Sequence, residues 1–133
     1  MPEITEFSDK LSDYIRRIEE AESRAHVEGG IITSDDLSVA NLTGGPVERR
    51  QIAWRLYQHQ MFYVVKVSPN TTVAAHYHEE DVFRFLIKGS LVVNDREIEE
   101  GMWFVVKAGT RYEIKTKSGY TAFTGYHNAC IPM

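Results

Sequence analysis

The sequence contains little cysteine and no excess of positive charge, and both absences narrow the functional class. Cys130 is the single cysteine among 133 residues, so no intramolecular disulfide can form. The 15 lysine and arginine residues are outnumbered by 19 acidic residues, which gives a net charge of −4. A surface that coats nucleic-acid phosphates needs clustered excess cations. We therefore expect a small-molecule ligand and no nucleic-acid partner.

Long apolar runs are also missing from the chain. Residues 1–25 alternate charged and apolar side chains and lack the continuous apolar core of a signal peptide. The chain is 43% hydrophobic and 26% charged, which is typical of a globular protein of this length. These features predict a single domain over residues 1–133, a cytoplasmic location and no membrane partner.

Residues 8–25 have the pattern of one amphipathic helix. Ser8 is a candidate N-cap, and Asp9 would favour the positive end of the helix dipole. The apolar residues at helical spacing are Phe7, Leu11, Ile15, Ile18 and Ala25. A narrow apolar stripe of this kind must cover another surface. We expect a packing helix or a dimer arm, with a functional lid as the alternative.

After the two glycines at 29 and 30, the sequence changes to short β-rich runs bounded by turn residues. The predicted strands cover residues 31–33, 52–59, 61–67, 73–78, 82–87, 91–93, 96–98, 102–106, 111–116 and 120–126. No long crossover helix separates them, so the sheet should be antiparallel. We predict an all-β sandwich or jelly-roll barrel over residues 50–128, with a mouth that holds one small ligand.

Two of the five histidines, His76 and His78, are the strongest chemical signal in the sequence. On a strand, residues i and i+2 face the same way, so both imidazoles should point to one side. Paired imidazoles suit a divalent transition metal such as Mn, Fe, Ni or Zn. The pair is therefore a candidate metal site, although a His-x-His pair alone is a weak signal.

Two segments around these histidines resemble the motifs of the cupin superfamily. Residues 70–89 follow the first motif, which runs Gly, five residues, His-x-His, three or four residues, Glu, six residues, Gly. Residues 101–116 echo the second, which runs Gly, five residues, Pro-x-Gly, two residues, His, three residues, Asn. The resemblance implies a cupin-type antiparallel jelly-roll barrel that pairs as a homodimer. It also implies oxygenase, isomerase, lyase or cyclase chemistry.

The sequence departs from the cupin motifs at two of the four metal-ligand positions. Aligned on Gly89, the ligand Glu falls on Val82, and aligned on Gly101 and Gly109, the ligand His falls on Tyr112. Three conformational positions also differ, with Asn70, Lys107 and Thr116 in place of the motif's Gly, Pro and Asn. The resemblance therefore supports the fold more fully than the metal centre.

Substitute ligands can be sought by geometry. A tight turn after Thr116 would return the chain so that His127 lies near Tyr112 and supplies a third nitrogen. Asp81 precedes the vacant carboxylate position by one residue, and a β-bulge would swing it inward as a ligand. The Tyr112 phenol could ligate a metal weakly or act as an acid beside a bound substrate.

The register of residues 81–87 decides whether Arg84 or Asp81 belongs to the site. With no bulge, Arg84 shares a face with Val82 and Leu86 and points into the cavity, where it could bind a carboxylate or phosphate bidentately. With a one-residue bulge, the odd-numbered residues point inward, and Arg84 pairs on the outer face with Glu97 or the helix. Both registers remain open at this point.

Three functions are consistent with these residues. The first is a metal-dependent cupin enzyme in which His76 and His78 bind the metal and His127, Asp81 or Tyr112 completes the shell. The second is a metal-free or weakly metal-binding pocket that binds a small anion through Arg84, Tyr112 and the two histidines, as a sensor or an acid–base catalyst. Tyr126 is among the aromatic residues expected to line it. The third is a structural dimer with a vestigial pocket. The motif favours the first.

Overall fold

The computed structural model describes residues 10–27, 29–36, 42–44 and 46–128. This part of the chain holds one α-helix, α1 (Leu11–Val27), and two short 3-10 helices, Ser34–Asp36 and Leu56–Gln58. Its strands are β1 (Ile31–Thr33), β2 (Leu42–Gly44), β3 (Val47–Arg49), β4 (Met61–Val67), β5 (Thr71–His76), β6 (Val82–Val93), β7 (Arg96–Glu99), β8 (Trp103–Val106), β9 (Tyr112–Thr116) and β10 (Tyr120–Tyr126). Its helices include none with the length and apolar character needed to cross a membrane.

All pairings between the described strands are antiparallel, as predicted. The central strand is β6, which pairs with β8 and β10 through its first half and with β7 and β9 through its second half. The main path runs β1-β8-β6-β10-β4, and β5 joins through β9. The all-β jelly-roll class with an N-terminal helix is confirmed. The hydrogen-bonded path is open among these strands, however, so the sheet does not close into the predicted barrel.

Two apolar clusters lie on opposite faces of β6. The interior cluster consists of Ile31, Leu86, Leu91, Val93, Ile98, Phe104, Val106, Tyr112, Ile114, Tyr120 and Ala122. The helix-facing cluster consists of Ile18, Ala21, Ala25, Ile32, Ala53, Trp54, Phe83, Trp103 and Val105. Because side chains alternate along a strand, Arg84 shares the interior face with Leu86 while Phe83 faces the helix. The register without a bulge before Leu86 is therefore the one observed.

Helix α1 covers the outer face of the sheet with its small and apolar residues. Ile18, Ala21 and Ala25 are buried there, whereas Leu11, in the first turn, is 69% exposed. The Tyr14 hydroxyl donates to the carbonyl oxygen of Ile52 at 2.6 Å, which ties the helix to the segment before β4. The predicted packing role of the helix is confirmed, and its predicted Ser8 cap lies outside the described residues.

An ion-pair network also holds α1 in place. The Glu22 carboxylate pairs with Arg55 and with Lys107 Nζ, the latter at 2.8 Å, and Lys107 Nζ lies 2.9 Å from an Asp81 carboxylate oxygen. Burial alone would raise the pKa of Glu22, but the hydrogen bonds from Lys107 and Arg55 bring it below its usual value. The network therefore links the helix to the start of β6 and the end of β8.

Two strand predictions are wrong. Residues 52–59 form an irregular segment with a 3-10 turn in place of a strand, because Trp54 is inserted into the helix-facing cluster. The predicted strands 82–87 and 91–93 are one continuous strand that passes through Gly89. Gly89 has a positive φ of 86°, and a Cβ there would lie 2.1 Å from the Gly119 carbonyl oxygen. The glycine marks a close approach of two strands and does not mark a turn.

Replacement of Ile18 by Ala should test the helix contact. Ile18 is fully buried in the helix-facing cluster, so Ile18→Ala should lower the free energy of unfolding by about 2–4 kcal/mol. Leu11→Ala is the matched control, because its side chain is exposed and should change stability by less than about 0.5 kcal/mol. Chemical denaturation measures both, and equal losses would contradict the packing described here.

His59 is a buried histidine at the edge of the helix-facing cluster. The Trp54 indole N–H donates to His59 Nε2 at 2.9 Å. Because the indole nitrogen can only donate, Nε2 must be the acceptor, and the proton of the neutral ring lies on Nδ1. Burial lowers the pKa of His59 from its ordinary value of 6.5. The neutral ring is therefore the form compatible with this packing, and His59 has a structural role here.

The lowered pKa of His59 predicts a pH-dependent stability. The unfolded chain takes up this proton more readily than the folded one, so stability should fall as pH drops below 6.5 toward the folded pKa. His59→Gln keeps an acceptor for Trp54 but does not titrate. Its loss of stability between pH 7 and 5 should be smaller than that of the wild type, by at most about 1.4 kcal/mol per pH unit. Parallel pH dependences in urea denaturation would contradict the prediction.

Candidate functional site

Two cross-strand pairs bring polar side chains into the interior. Arg84 of β6 lies directly opposite Thr124 of β10 and, on its other side, opposite Phe104 of β8. His76, the last residue of β5, lies opposite Tyr112 of β9. Directly opposed residues in an antiparallel pair present their side chains on one face. Since Arg84 and Tyr112 touch, both pairs face the same interior.

A hydrogen-bonded chain runs from Arg84 to the edge of the sheet. Arg84 Nη2 donates to the Tyr112 hydroxyl at 2.7 Å, and that hydroxyl lies 3.2 Å from His76 Nε2. His76 Nδ1 lies 2.8 Å from the Ala74 carbonyl oxygen, which can only accept. The proton of the neutral His76 ring is therefore on Nδ1, and Nε2 accepts from Tyr112. Each member of the chain has a defined direction of donation.

His78 and Tyr126 complete an aromatic wall beside this chain. His78 follows β5 and is buried, with its ring centre 5.1 Å from that of His76 and 6.2 Å from that of Tyr112. The Tyr126 ring centre lies 5.7 Å from that of His78. The sequence prediction that His76, His78, Tyr112 and Tyr126 lie near one another is thus matched by their ring contacts.

Arg84 is a buried cation without a protein counter-ion among the described residues. Its side chain is only 8% exposed, and its Nη1 has no hydrogen-bond partner. The guanidinium carbon lies 5.3 Å from the ring centre of Tyr112 and 5.7 Å from that of Phe104. These rings stabilise a cation weakly compared with a carboxylate. The Nη1 edge of the guanidinium group is therefore left without a hydrogen-bond acceptor in the described structure.

Thr124 is an interior residue that the sequence analysis did not single out. Its side chain is 1% exposed, and its Oγ1 has no hydrogen-bond partner in the described structure. The signal was present in the alternation of β10, where Tyr120, Ala122 and Thr124 share a face. A threonine in that row faces the interior, and it lies opposite the one arginine of the facing row.

The other two predicted metal ligands, Asp81 and His127, are engaged by other groups. Asp81 accepts from Lys107 Nζ at 2.9 Å and from the Ala108 backbone N–H at 2.8 Å, so both of its oxygens are engaged. His127 is exposed, and its Nδ1 lies 2.5 Å from the carbonyl oxygen of Gln58. The bulge that would bring Asp81 inward is not observed, because the register keeps Arg84 on the interior face.

The described residues therefore do not fit the cupin ligand set. Among them, no group of three or more histidine, cysteine, aspartate or glutamate side chains is placed to hold a metal ion. The position of the missing histidine is occupied by Tyr112, whose hydroxyl is engaged by Arg84 and His76. What the arrangement offers is a buried positive charge beside a directed chain of proton-bearing groups.

A double-mutant cycle should measure the contact between Arg84 and Tyr112. Tyr112→Phe leaves a second guanidinium nitrogen without a partner, so it should lower the free energy of unfolding by about 1–3 kcal/mol. In an Arg84→Met background the same change removes only the contact with His76 and should cost about 0.5–1 kcal/mol. Urea denaturation of the four proteins gives the coupling. Equal costs in both backgrounds would show that the contact contributes nothing.

Comparisons with known proteins place the fold beside cupin structures. No protein-family model and no curated protein matches the chain. A protein of unknown function with a cupin-like fold from Ralstonia eutropha JMP134 is 15% identical, with a TM-score of 0.48 over 55% of this chain and 49% of its own. A cupin-2 domain containing protein from Shewanella frigidimarina NCIMB 400 is 19% identical, with a TM-score of 0.46 over 59% of this chain and 78% of its own.

A larger enzyme is also similar in structure. The salicylate 1,2-dioxygenase from Pseudaminobacter salicylatoxidans is 15% identical, with a TM-score of 0.47, and the match covers 91% of this chain. The chain spans 49% of the first of these proteins and 34% of the dioxygenase. Cupin-fold proteins are thus among the solved structures that this chain is similar to.

Proposed function

We propose that this cupin-like protein binds a small organic anion in its interior through the guanidinium group of Arg84. The observation that carries the proposal is the state of that group, which is buried, has an unpartnered Nη1 and forms no ion pair with a described carboxylate. A buried charge without a counter-ion is costly. An anionic ligand would supply the missing charge and two hydrogen-bond acceptors.

The neighbouring side chains do not supply that anion themselves. Burial raises the pKa of Tyr120, although the positive charge of Arg84 acts in the opposite direction, so this phenol stays neutral. The Asp81 carboxylate, just before β6, is engaged by Lys107 and by the Ala108 backbone N–H. A ligand is therefore the source of negative charge that the geometry favours.

Tyr112 has the position of a proton donor to a ligand bound at Arg84. Its hydroxyl accepts from Arg84 and donates to His76, which can hold a second proton as an imidazolium. A ligand that reaches the Arg84 Nη1 would lie close to this hydroxyl. We assign Tyr112 and His76 to acid and base work, and His78 and Tyr126 to the wall that shapes the ligand.

A metal-dependent enzyme is the second candidate, favoured by the 5.1 Å separation of the His76 and His78 ring centres. Two imidazoles would bind Mn, Fe, Ni or Zn with open positions left for substrate. Such a site would carry the oxygenase, isomerase, lyase or cyclase chemistry implied by the cupin resemblance. Its affinity would be modest and would fall at low pH, because both ligands are neutral bases.

A homodimer is proposed on separate grounds. Strand β4 pairs only with β10 among the described strands, and its Phe62 and Val64 side chains are exposed. A second copy would cover this apolar edge, as the dimer expected from the cupin resemblance would require. If the interior bound neither anion nor metal, the structural dimer with a vestigial pocket would remain.

Ligand titration of the untagged protein should separate these functions. Acetate, benzoate and inorganic phosphate are the probes, followed by calorimetry and by thermal unfolding. We expect saturable binding of at least one, weakened about tenfold or more in Arg84→Met, because a charge-assisted hydrogen bond is lost. Arg16→Met removes an exposed arginine of α1 and should leave binding unchanged.

Two results would contradict the anion site. One is the absence of saturable binding of any probe up to about 10 mM. The other is binding that Arg84→Met leaves intact. Elemental analysis after a metal soak tests the second candidate: one equivalent of a transition metal, lost in His76→Ala with His78→Ala, would establish a metal site in place of the metal-free pocket.

A further inference from the structure

Thr124 and Arg84 together form a pair of unsatisfied buried donors. They are direct cross-strand partners in β10 and β6, and both are more than nine-tenths buried. Thr124 Oγ1 and Arg84 Nη1 each lack a hydrogen-bond partner in the described structure. Buried polar groups are nearly always hydrogen-bonded, and an unsatisfied one calls for an explanation. Two such groups on facing positions of one pair point to a shared acceptor.

We propose that Thr124 is a specificity-determining residue and that the ligand is a small carboxylic acid. In this arrangement one carboxylate oxygen accepts from Arg84 Nη1 and the other from the Thr124 hydroxyl. The inference rests on the proposed anion site and names the chemical class that it selects. Arg84 alone does not fix the ligand class, because a guanidinium nitrogen can donate to a carboxylate or to a phosphate.

The number of free donors distinguishes a carboxylate from a phosphate. The pair offers the N–H donors of one guanidinium nitrogen and one hydroxyl, and these two groups match the two oxygens of a carboxylate. A phosphate carries additional charged oxygens, and a buried charged oxygen without a donor is strongly destabilising. In the described structure Tyr112 donates its hydrogen to His76, so the two carboxylate contacts proposed here do not use it. The site therefore selects carboxylates.

Two substitutions of Thr124 separate the hydroxyl from the shape of the side chain. Thr124→Val keeps the branched shape and removes the donor, and Thr124→Ser keeps the donor. Thr124→Val should weaken benzoate and acetate binding about tenfold, whereas Thr124→Ser should stay within about threefold of the wild type. Thr124→Ser is the matched control, because it keeps the hydroxyl donor and loses only the methyl group. The wild type should bind phosphate at least about tenfold more weakly than benzoate.

We expect the Thr124→Val variant to fold normally. Since Oγ1 has no partner in the unliganded structure, its removal takes away no hydrogen bond, and Thr124→Val should unfold at or above the wild-type temperature. Thermal unfolding checks this before binding is measured.

The possible failures are distinguishable. If Arg84→Met abolishes benzoate binding but Thr124→Val does not change it, the anion site stands and the role of Thr124 is wrong. Equal weakening of benzoate binding by Thr124→Val and Thr124→Ser would assign Thr124 to shape and overturn the carboxylate contact. Phosphate binding as tight as benzoate binding would overturn the ligand class, and no binding of any anion would overturn the proposed function itself.

Discussion

The burial of β6 on both faces over residues 82–86 is the constraint on which the rest of the structure depends. A strand covered on two sides places alternate residues in two different environments. Phe83 is taken into the cluster beneath α1, and Leu86 into the interior cluster. Arg84, between them, has no solvent-facing side to turn toward. Its charge is held inside by the packing of its neighbours, so the candidate site follows from the core and is not added to its surface.

Strand periodicity predicted much of this architecture because the responsible interactions are local. The bounds of β1, β4 and β10 agree with the predicted ranges 31–33, 61–67 and 120–126. The errors occur where distant contacts decide the conformation. Gly89 has the character of a turn residue, but its role is to let the backbone of Gly119 approach within a strand pair. No local pattern distinguishes these two uses of glycine.

Most residues of the site could be predicted from the sequence, but the hydrogen bonds between them could not. Pattern and motif indicated His76, Tyr112 and, as one of two registers, Arg84. The hydrogen bond between Arg84 and Tyr112 joins residues 28 positions apart, and nothing in the local sequence predicts it. The same holds for Asp81, whose carboxylate is held by Lys107 at a separation of 26 residues. Such an ion pair occupies the carboxylate of a candidate metal ligand, and the motif alone does not reveal the pair.

The ion-pair network around Glu22 has a consequence for the order in which the chain folds. Glu22 lies 85 residues from Lys107 and 33 from Arg55, so these contacts close long loops of chain. Loop closure is entropically costly before other contacts have formed. The four participating segments must therefore already be assembled when the network forms. The ion pairs of Glu22 are therefore expected to stabilise the docked position of α1 and not to initiate its docking.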